Sequence, residues 1–198
     1  MGTYHAARSK TRSAIIQAFW RLYLQQGISK ITVKDIAEMT GIHRATFYLY
    51  YDSVYAVLDS IKQEQLERLK EVCSTHTSSE NGYADFLAAM RGLYDQNKVF
   101  LEPLLGRHLG NEFAVEYRAI MKTKLRRDIG WRQYPEASTE SILIDSVLSG
   151  MIETFICCLQ NNAIPLDAAY RFASQSVDHG IAQALEREFG IDILPPEE

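Results

Sequence analysis

Residues 32–54, TVKDIAEMTGIHRATFYLYYDSV, constrain the fold more than any other stretch of this sequence. Thr32 is followed three residues later by Asp35, and this spacing is the capping-box pattern that begins a helix. Apolar residues then recur at helical spacing as far as Gly41. Glycine readily adopts the left-handed conformation that closes a helix, so a first short helix is predicted to end there.

A second short helix is predicted to begin at Arg44, directly after the turn. Phe47 and Tyr51 lie four residues apart, so both are expected to face inward. Two short helices joined by a four-residue turn with glycine are typical of a helix-turn-helix. An ordinary helical hairpin has the same spacing and is the alternative interpretation of this stretch.

Charge is divided unevenly along the chain, whose formal net charge is −4. Residues 1–51 contain seven Lys or Arg and two acids, a net charge of +5, whereas residues 52–198 have a net charge of −9. A basic front segment with an acidic remainder is expected when only the front segment meets a polyanion such as DNA. The alternative, a solvated basic surface without a partner, is weakened because the same segment contains the helix-turn-helix pattern.

The remainder of the chain is also predicted to be helical, which gives an all-α protein of about nine helices. Residues 1–10 are expected to form a flexible basic arm. Besides the two short helices, the predicted helices cover residues 11–26, 52–74, 83–96, 98–107, 112–128, 138–161 and 166–188. The break before the helix over 98–107 rests on Pro103, which starts or interrupts it. The predicted domains are an N-terminal three-helix helix-turn-helix domain, residues 1–51, and a C-terminal helical domain, residues 52–198.

Several classes of protein are disfavoured by what the sequence lacks. It contains no GxSxG, HExxH, P-loop or dinucleotide-binding pattern, so no enzyme activity and no cofactor are expected. The five histidines are scattered, and His108 with Glu112 is more simply a surface hydrogen bond than a metal site. No apolar run is long enough to be expected to span a bilayer, and the polar start is unlike a secretory signal. With three cysteines, a reducing cytoplasm is the expected location.

The segment IAEMTGIHRATFYLYYDSVYAVLDSI resembles the DNA-binding signature of the TetR/AcrR family of bacterial transcriptional regulators. The resemblance extends from about Arg12 to Ile61 and is carried by Gly41, the run Thr46-Phe47-Tyr48, and Tyr51. It implies that the second short helix enters the major groove of a double-stranded DNA operator. Beyond this segment, the chain resembles the family only in length and helical character.

Carried over by position, the resemblance implies DNA contacts from the turn and the second short helix. The implied contact residues are Thr32, His43, Arg44, Thr46, Tyr48 and Tyr50. Arg44 is expected to contact a phosphate or a guanine, and the tyrosine hydroxyls are expected to contact phosphates. The sequence departs from the family at Val54, where a phosphate-binding lysine is usual, and at His43, where a small hydroxyl residue is usual.

The resemblance further implies a small-molecule site within the C-terminal domain. Its candidate residues are Phe86, Met90, Tyr94, Phe100, Leu104, Phe113, Tyr117, Met121 and Phe155. Ligand sites are mostly apolar with a few polar groups, but helical cores are too. For each of these residues taken singly, plain core packing is therefore the better interpretation.

The resemblance also implies a homodimer that forms through the predicted eighth and ninth helices, residues 138–161 and 166–188. The alternative is that the eighth helix is simply the core of the monomer. The eighth is apolar on several faces and the ninth is rich in small residues, which let helices approach closely. The predicted function is that of a repressor released from a palindromic operator by an unknown small-molecule effector. The alternative is a helix-turn-helix protein whose C-terminal domain binds a protein partner or no effector. The operator, the effector and the regulated genes do not follow from the sequence.

Overall fold

A computed structural model describes residues 2–75, 82–105, 112–129, 138–161 and 182–190, together with residues 135, 165, 168 and 171. These residues form eight α-helices and one 3₁₀ turn, Ile28–Lys30, and contain no strand, which confirms the all-α prediction. The helices are α1 Gly2–Gln26, α2 Val33–Thr40, α3 Arg44–Tyr48, α4 Val54–Thr75, α5 Gly82–Leu105, α6 Glu112–Ile129, α7 Thr139–Gln160 and α8 Ala182–Phe189.

The chain divides into two compact units, Met1–Glu64 and Gln65–Glu198. In the first unit, α1 packs against α2, and α2 against α3. Its core consists of side chains with no exposed surface: Ile15, Phe19, Ile36, Phe47 and Val57. In the second unit, α5, α6 and α7 contact one another. The helix α4 contributes residues to both units, since residues 54–64 belong to the first and residues 65–75 to the second.

The N-terminal segment is helical, so the prediction of a flexible arm over residues 1–10 is wrong. The helix α1 begins at Gly2 and continues without interruption to Gln26. Residues 3–10 contain neither proline nor glycine, and they extend a helix that is already nucleated by residues 11–26. Gly27, with φ of +73°, follows the last residue of α1.

A single helix, α5, replaces the two helices predicted over residues 83–96 and 98–107. Asn97, at the expected break, is buried, and its side-chain amide donates to the Leu93 carbonyl oxygen at 2.8 Å. The amide therefore finds its partner within the helix instead of ending it. Pro103 lies in the last turn of α5, where its missing N–H costs a single hydrogen bond.

The helix α7 follows the predicted range, and Ser138 caps its N-terminus by accepting from the Ser141 N–H at 3.1 Å. Its segment Thr139–Cys158 is long and apolar enough to cross a membrane by length and composition alone, contrary to the expectation that no such run exists. The same test is passed by core helices of soluble proteins, and one such helix is weak evidence for a membrane span. Asp145 and Glu153 interrupt the segment, and both form ion pairs with α6.

Most of the predicted helix over 166–188 lies outside the described residues. Within it the structure describes residues 168, 171 and 182–188, and the last of these belong to α8. Residues 106 and 107, at the end of another predicted helix, also lie outside the described residues.

Candidate nucleic-acid interface and ligand site

The N-terminus of α2 is held by the predicted capping box. The Thr32 hydroxyl oxygen accepts from the Asp35 N–H at 3.3 Å, and the Thr32 N–H donates to the Asp35 carboxylate at 2.9 Å. The Thr32 hydroxyl also donates to that carboxylate at 2.7 Å. These hydrogen bonds from Thr32 favour the charged carboxylate and lower the pKa of Asp35 below its ordinary value. The first turn of α2 is thereby fixed at the surface, where Thr32 is exposed.

The turn between α2 and α3 depends on Gly41, which has φ of +71° and closes α2 in the left-handed conformation. The Gly41 and Ile42 N–H groups both donate to the Ala37 carbonyl oxygen, the latter at 3.2 Å. His43 then begins α3 as its N-cap residue, without a capping hydrogen bond from its imidazole. The imidazole is exposed beside the start of α3.

The inner face of α3 is formed by Phe47, as predicted from its spacing with Tyr51. Phe47 has no exposed surface, and its ring centroid lies 6.1 Å from that of Tyr51. Tyr51 is also buried, and its hydroxyl accepts from the Ser60 hydroxyl at 3.3 Å. Because α3 has only five residues, these contacts rather than its own hydrogen bonds hold it in place.

The outer face of α3 carries the residues predicted to contact DNA. His43 and Arg44 are exposed, and Tyr48 is 55% exposed. Thr46 and Tyr50 are half-buried on the flanks of the same short segment. The structure therefore places Arg44 and Tyr48 where a partner can reach them.

Leu49 is an apolar member of this exposed surface that is absent from the predicted contact residues. It is 74% exposed and follows Tyr48 directly at the end of α3. The sequence did indicate its exposure, because Leu49 does not share the four-residue spacing of the inward residues Phe47 and Tyr51. Tyr55, in the first turn of α4, is also 56% exposed.

The beginning of α1 meets this surface through Arg8. Its guanidinium carbon lies 5.9 Å from the centroid of the Tyr50 ring, within the range of a cation–π contact. At an exposed site such a contact contributes about 0.5–1 kcal/mol. The exposed Arg8 and Arg44 thus place positive charge at both ends of the segment 44–50.

The residues predicted to line a ligand site are core residues of the second unit. Seven are buried: Phe86, Met90, Tyr94, Leu104, Phe113, Tyr117 and Met121. Phe100 and Phe155 are half-buried. Of the clefts formed by described residues, one of about 630 Å³ lies between α6 and α7, and one of about 250 Å³ lies between α4 and α6. None of the nine predicted residues lines either cleft, so their role in a ligand site stays a prediction.

Two of these core residues carry hydroxyls with no hydrogen-bond partner among the described residues. Tyr94, on α5, is 2% exposed and Tyr117, on α6, has no exposed surface. Burial raises the pKa of both phenols, because it disfavours the charged phenolate. Negative charge on Cys73 and Tyr94, once these groups ionise, raises the pKa of Tyr117 further. The sequence shows the tyrosines but gives no sign of their missing partners.

Ion pairs join α6 to α7 along the larger cleft. Arg118 donates to one carboxylate oxygen of Glu153 through Nε at 3.1 Å and Nη2 at 2.9 Å. The Lys122 ammonium lies 3.6 Å from the Asp145 carboxylate, and Arg126 hydrogen-bonds to the same group. The described part of the chain contains no cluster of three His, Cys, Asp or Glu that would hold a metal ion. His108 lies outside it.

Residues 15–61 match the family model of bacterial regulatory proteins, tetR family. The chain is 34% identical over 68 residues to the HTH-type transcriptional regulator TtgR of Pseudomonas putida, covering 31% of this chain and 32% of that protein. It is 30% identical over 110 residues to the uncharacterized HTH-type transcriptional regulator YdeS of Bacillus subtilis, covering 54% of this chain and 55% of that protein. The matched region thus spans about a third to a half of the length of these relatives.

Solved structures share the fold over most of the chain. The TetR family transcriptional regulator PfmR from Thermus thermophilus is 14% identical, with a TM-score of 0.52 over 81% of this chain and 95% of that chain. A structure of a transcriptional regulator from Pseudomonas aeruginosa is 17% identical, with a TM-score of 0.54 over 92% of this chain and 95% of that chain. At these identities the likeness concerns the fold alone. The family model and the relatives thus identify residues 15–61 as a segment of the tetR family of bacterial regulatory proteins.

Proposed function

We propose that this protein is a DNA-binding transcriptional regulator whose helix α3 enters the major groove of operator DNA. The observation that carries the proposal is the two-sided character of α3. Phe47 is buried in the core of the first unit, whereas Arg44 and Tyr48 point away from that core and are exposed. The segment that contains α3, residues 1–51, has a net charge of +5, which favours association with phosphates.

Each predicted contact residue has a chemistry that suits this role. Arg44, at the first position of α3, binds a phosphate or a guanine edge with its fork of N–H donors. The Tyr48 hydroxyl donates to a phosphate oxygen, as does that of Tyr50. The N-terminus of α2 beside Thr32 carries partial positive charge and suits a further phosphate. His43 and Thr46 complete the set on either side of Arg44.

Two copies of the chain form the functional unit in this proposal, with residues 1–51 as DNA-binding and residues 52–198 as regulatory and dimerisation domains. One face of α7 supports the dimer. Its exposed residues recur at helical spacing and are mostly small: Ile142, Ser146, Ser149, Gly150, Thr154 and Cys157. Small side chains allow a second helix to approach closely, and twofold symmetry suits a palindromic operator with half-sites about 34 Å apart.

Regulation is proposed to act through the second unit. A small molecule bound there shifts α4, whose residues belong to both units, and favours the state released from DNA. Such a molecule must bind the two states unequally, or the equilibrium does not move. The protein then acts as a repressor in the cytoplasm. The second candidate function keeps the DNA-binding head but gives the C-terminal unit a protein partner or no effector.

The DNA-binding proposal is tested with Arg44→Ala against Arg187→Ala, which removes the same charge from an exposed arginine of the other unit. Binding to DNA from upstream of the protein's own gene is measured by fluorescence anisotropy across a range of salt concentrations. A lost phosphate contact lowers affinity on all DNA and flattens the salt slope by about one unit. Equal binding by the two variants at every salt concentration would exclude the assigned role of Arg44.

Effector control is tested separately, by adding a panel of metabolites to the preformed complex of protein and DNA. Release of the DNA by a member of the panel supports the regulatory proposal. Release by none, with DNA binding intact, favours the second candidate function.

A further inference from the structure

The face of α3 that lies opposite the core is apolar at its centre. Successive residues of an α-helix advance by about 100° around the helix axis. Ala45 precedes Phe47 by two residues and Leu49 follows it by two, so both lie about 200° away from it, on the far side of the helix. Leu49 also precedes the inward Tyr51 by two residues. The helical turn continues through this stretch, since the Tyr51 N–H donates to the Phe47 carbonyl oxygen at 3.1 Å.

Ala45 and Leu49, here called the apolar pair, are both exposed. At 74%, Leu49 is more exposed than any other large apolar residue in the part of the chain that the structure describes. The two residues lie four apart, so their side chains are neighbours on the helix surface. An exposed leucine alone needs no explanation, because much of a protein surface is apolar. The apolar pair differs because it occupies the middle of the face that the proposed function places in the major groove.

Hydrogen-bonding side chains border the apolar pair on both sides. Arg44 and Tyr48 each precede a member of the pair by one residue, and both are exposed. Thr46, on the opposite flank, is half-buried. Groups that can bind phosphates therefore lie toward the edges of this face, and groups that cannot lie between them. When such a face enters a groove about 12 Å wide, its edges approach the two backbones and its centre approaches the base pairs.

The major groove presents one kind of apolar group at the edges of its base pairs. Every base pair displays hydrogen-bond donors or acceptors there, but only thymine adds a methyl group, at C5. A leucine placed against a donor or an acceptor would remove its water without replacing the hydrogen bond. A leucine placed against the thymine methyl removes apolar surface of both groups from water. The apolar pair therefore favours a half-site with thymine at the position that it covers.

We propose that Ala45 and Leu49 read the C5 methyl group of a thymine in each half-site of the operator. The inference rests on the proposed function, because it assumes that α3 enters the major groove. Contacts from the tyrosine hydroxyls to phosphates position the protein but carry no sequence information, whereas a contact to the thymine methyl does. The apolar pair thus adds a determinant of sequence to the predicted contact residues.

The test replaces thymine by deoxyuridine, which lacks only the C5 methyl group and keeps every hydrogen-bonding group of the base. The full-length protein first selects a duplex from a random library, and each thymine of that duplex is then replaced in turn. Fluorescence anisotropy measures the dissociation constant. A replacement at one position in each half-site should weaken binding by the parent protein about fourfold, the effect of about one methyl group that is no longer removed from water.

Leu49→Ala is the deciding variant. It should bind the selected duplex more weakly and should lose most of the sensitivity to uracil at that position, because the side chain that covers the methyl group is shortened. Its salt slope should equal that of the parent protein, since no charge is removed. Leu24→Ala, which shortens a 53% exposed leucine of α1, is the matched control. It should keep both the affinity and the sensitivity to uracil.

The proposal is overturned if no replacement by deoxyuridine weakens binding, or if Leu49→Ala keeps the full sensitivity to uracil at every thymine. Either result, obtained with a duplex that the parent protein binds in a salt-dependent manner, contradicts only the reading of thymine and leaves the proposed function standing. If the parent protein selects no duplex from the library, the proposed function itself is refuted, and this inference is refuted with it.

Discussion

Removing the hydroxyl of Tyr117 is expected to make the folded protein more stable, which is unusual for a substitution in a core. The Tyr117 oxygen has no exposed surface and no hydrogen-bond partner among the described residues. A buried polar group left unsatisfied costs about 1–3 kcal/mol of folding free energy. Phenylalanine keeps the ring and its packing but avoids this cost. The lost contacts of one oxygen atom offset part of the gain, so Tyr117→Phe should raise the free energy of unfolding by about 1 kcal/mol.

Tyr51→Phe provides the matched comparison, with the opposite sign. The Tyr51 hydroxyl is part of a hydrogen bond with Ser60 at 3.3 Å, so its removal should lower the free energy of unfolding by about 1 kcal/mol. Both variants are measured by urea unfolding at one protein concentration, followed by circular dichroism and by fluorescence of the buried Trp20. If Tyr117→Phe proves as destabilising as Tyr51→Phe, the Tyr117 hydroxyl has a hydrogen-bond partner, and the expected gain in stability is refuted.

The alkaline pH dependence of stability gives an independent check on the same group. The folded-state pKa of Tyr117 lies above its ordinary value of 10.0 because burial disfavours the phenolate. Above pH 10 the unfolded chain therefore releases a proton that the folded chain retains, and stability falls as pH rises. Below that pH this contribution is constant. The fall above pH 10 should be shallower in Tyr117→Phe than in the parent protein, as measured by urea unfolding between pH 8 and roughly 11.

Three further outcomes are expected. Gly41→Ala should destabilise the first unit by about 1 kcal/mol in urea unfolding. Backbone strain alone causes the loss, since φ is +71° and an added Cβ meets nothing within 4 Å. Gly41→Asn should cost less in the same experiment, because asparagine tolerates the left-handed conformation better than alanine. The parent protein should lose stability as pH falls through the lowered pKa of the Asp35 carboxyl, and Asp35→Asn should abolish this loss. If the variant and the parent show the same dependence of unfolding free energy on acid pH, the capping bonds to Thr32 are contradicted. A double-mutant cycle on Arg118 and Glu153 should give a coupling free energy below about 1 kcal/mol, because the two side chains are 22% and 45% exposed. A larger coupling would mean that the ion pair is less exposed to water than these fractions indicate.

Local sequence chemistry predicted the first unit well because its decisive interactions span only a few residues. The capping box needs only Thr32 and Asp35, and the turn needs only a glycine at position 41. The inward position of Phe47 follows from helical spacing with Tyr51. The same reasoning failed at residues 1–10, because a polar segment was taken for a flexible one although residues 3–10 contain nothing that would stop α1.

The second unit was predicted less completely because its features depend on contacts that the sequence does not display. Asn97 lies between two helices that the sequence predicts as separate, yet its side-chain amide donates a hydrogen bond to the Leu93 carbonyl oxygen within α5. The two charged residues that join α7 to α6, Asp145 and Glu153, find their partners 19 to 35 residues away. The isolation of the Tyr94 and Tyr117 hydroxyls is likewise a property of the packed core. No pattern of residue types reports it.

The brevity of α3 has a consequence for anyone wishing to transplant its specificity into another protein. Five residues are far below the length at which a peptide helix persists in water, so a synthetic copy of residues 44–48 would have no defined shape. Its geometry depends on the packing of Phe47 and Tyr51 and on the turn at Gly41. The smallest portable module therefore begins before the cap at Thr32, runs past Ser60 and includes the α1 residues of the core, and side chains engineered on α3 alone have to be tested in that setting.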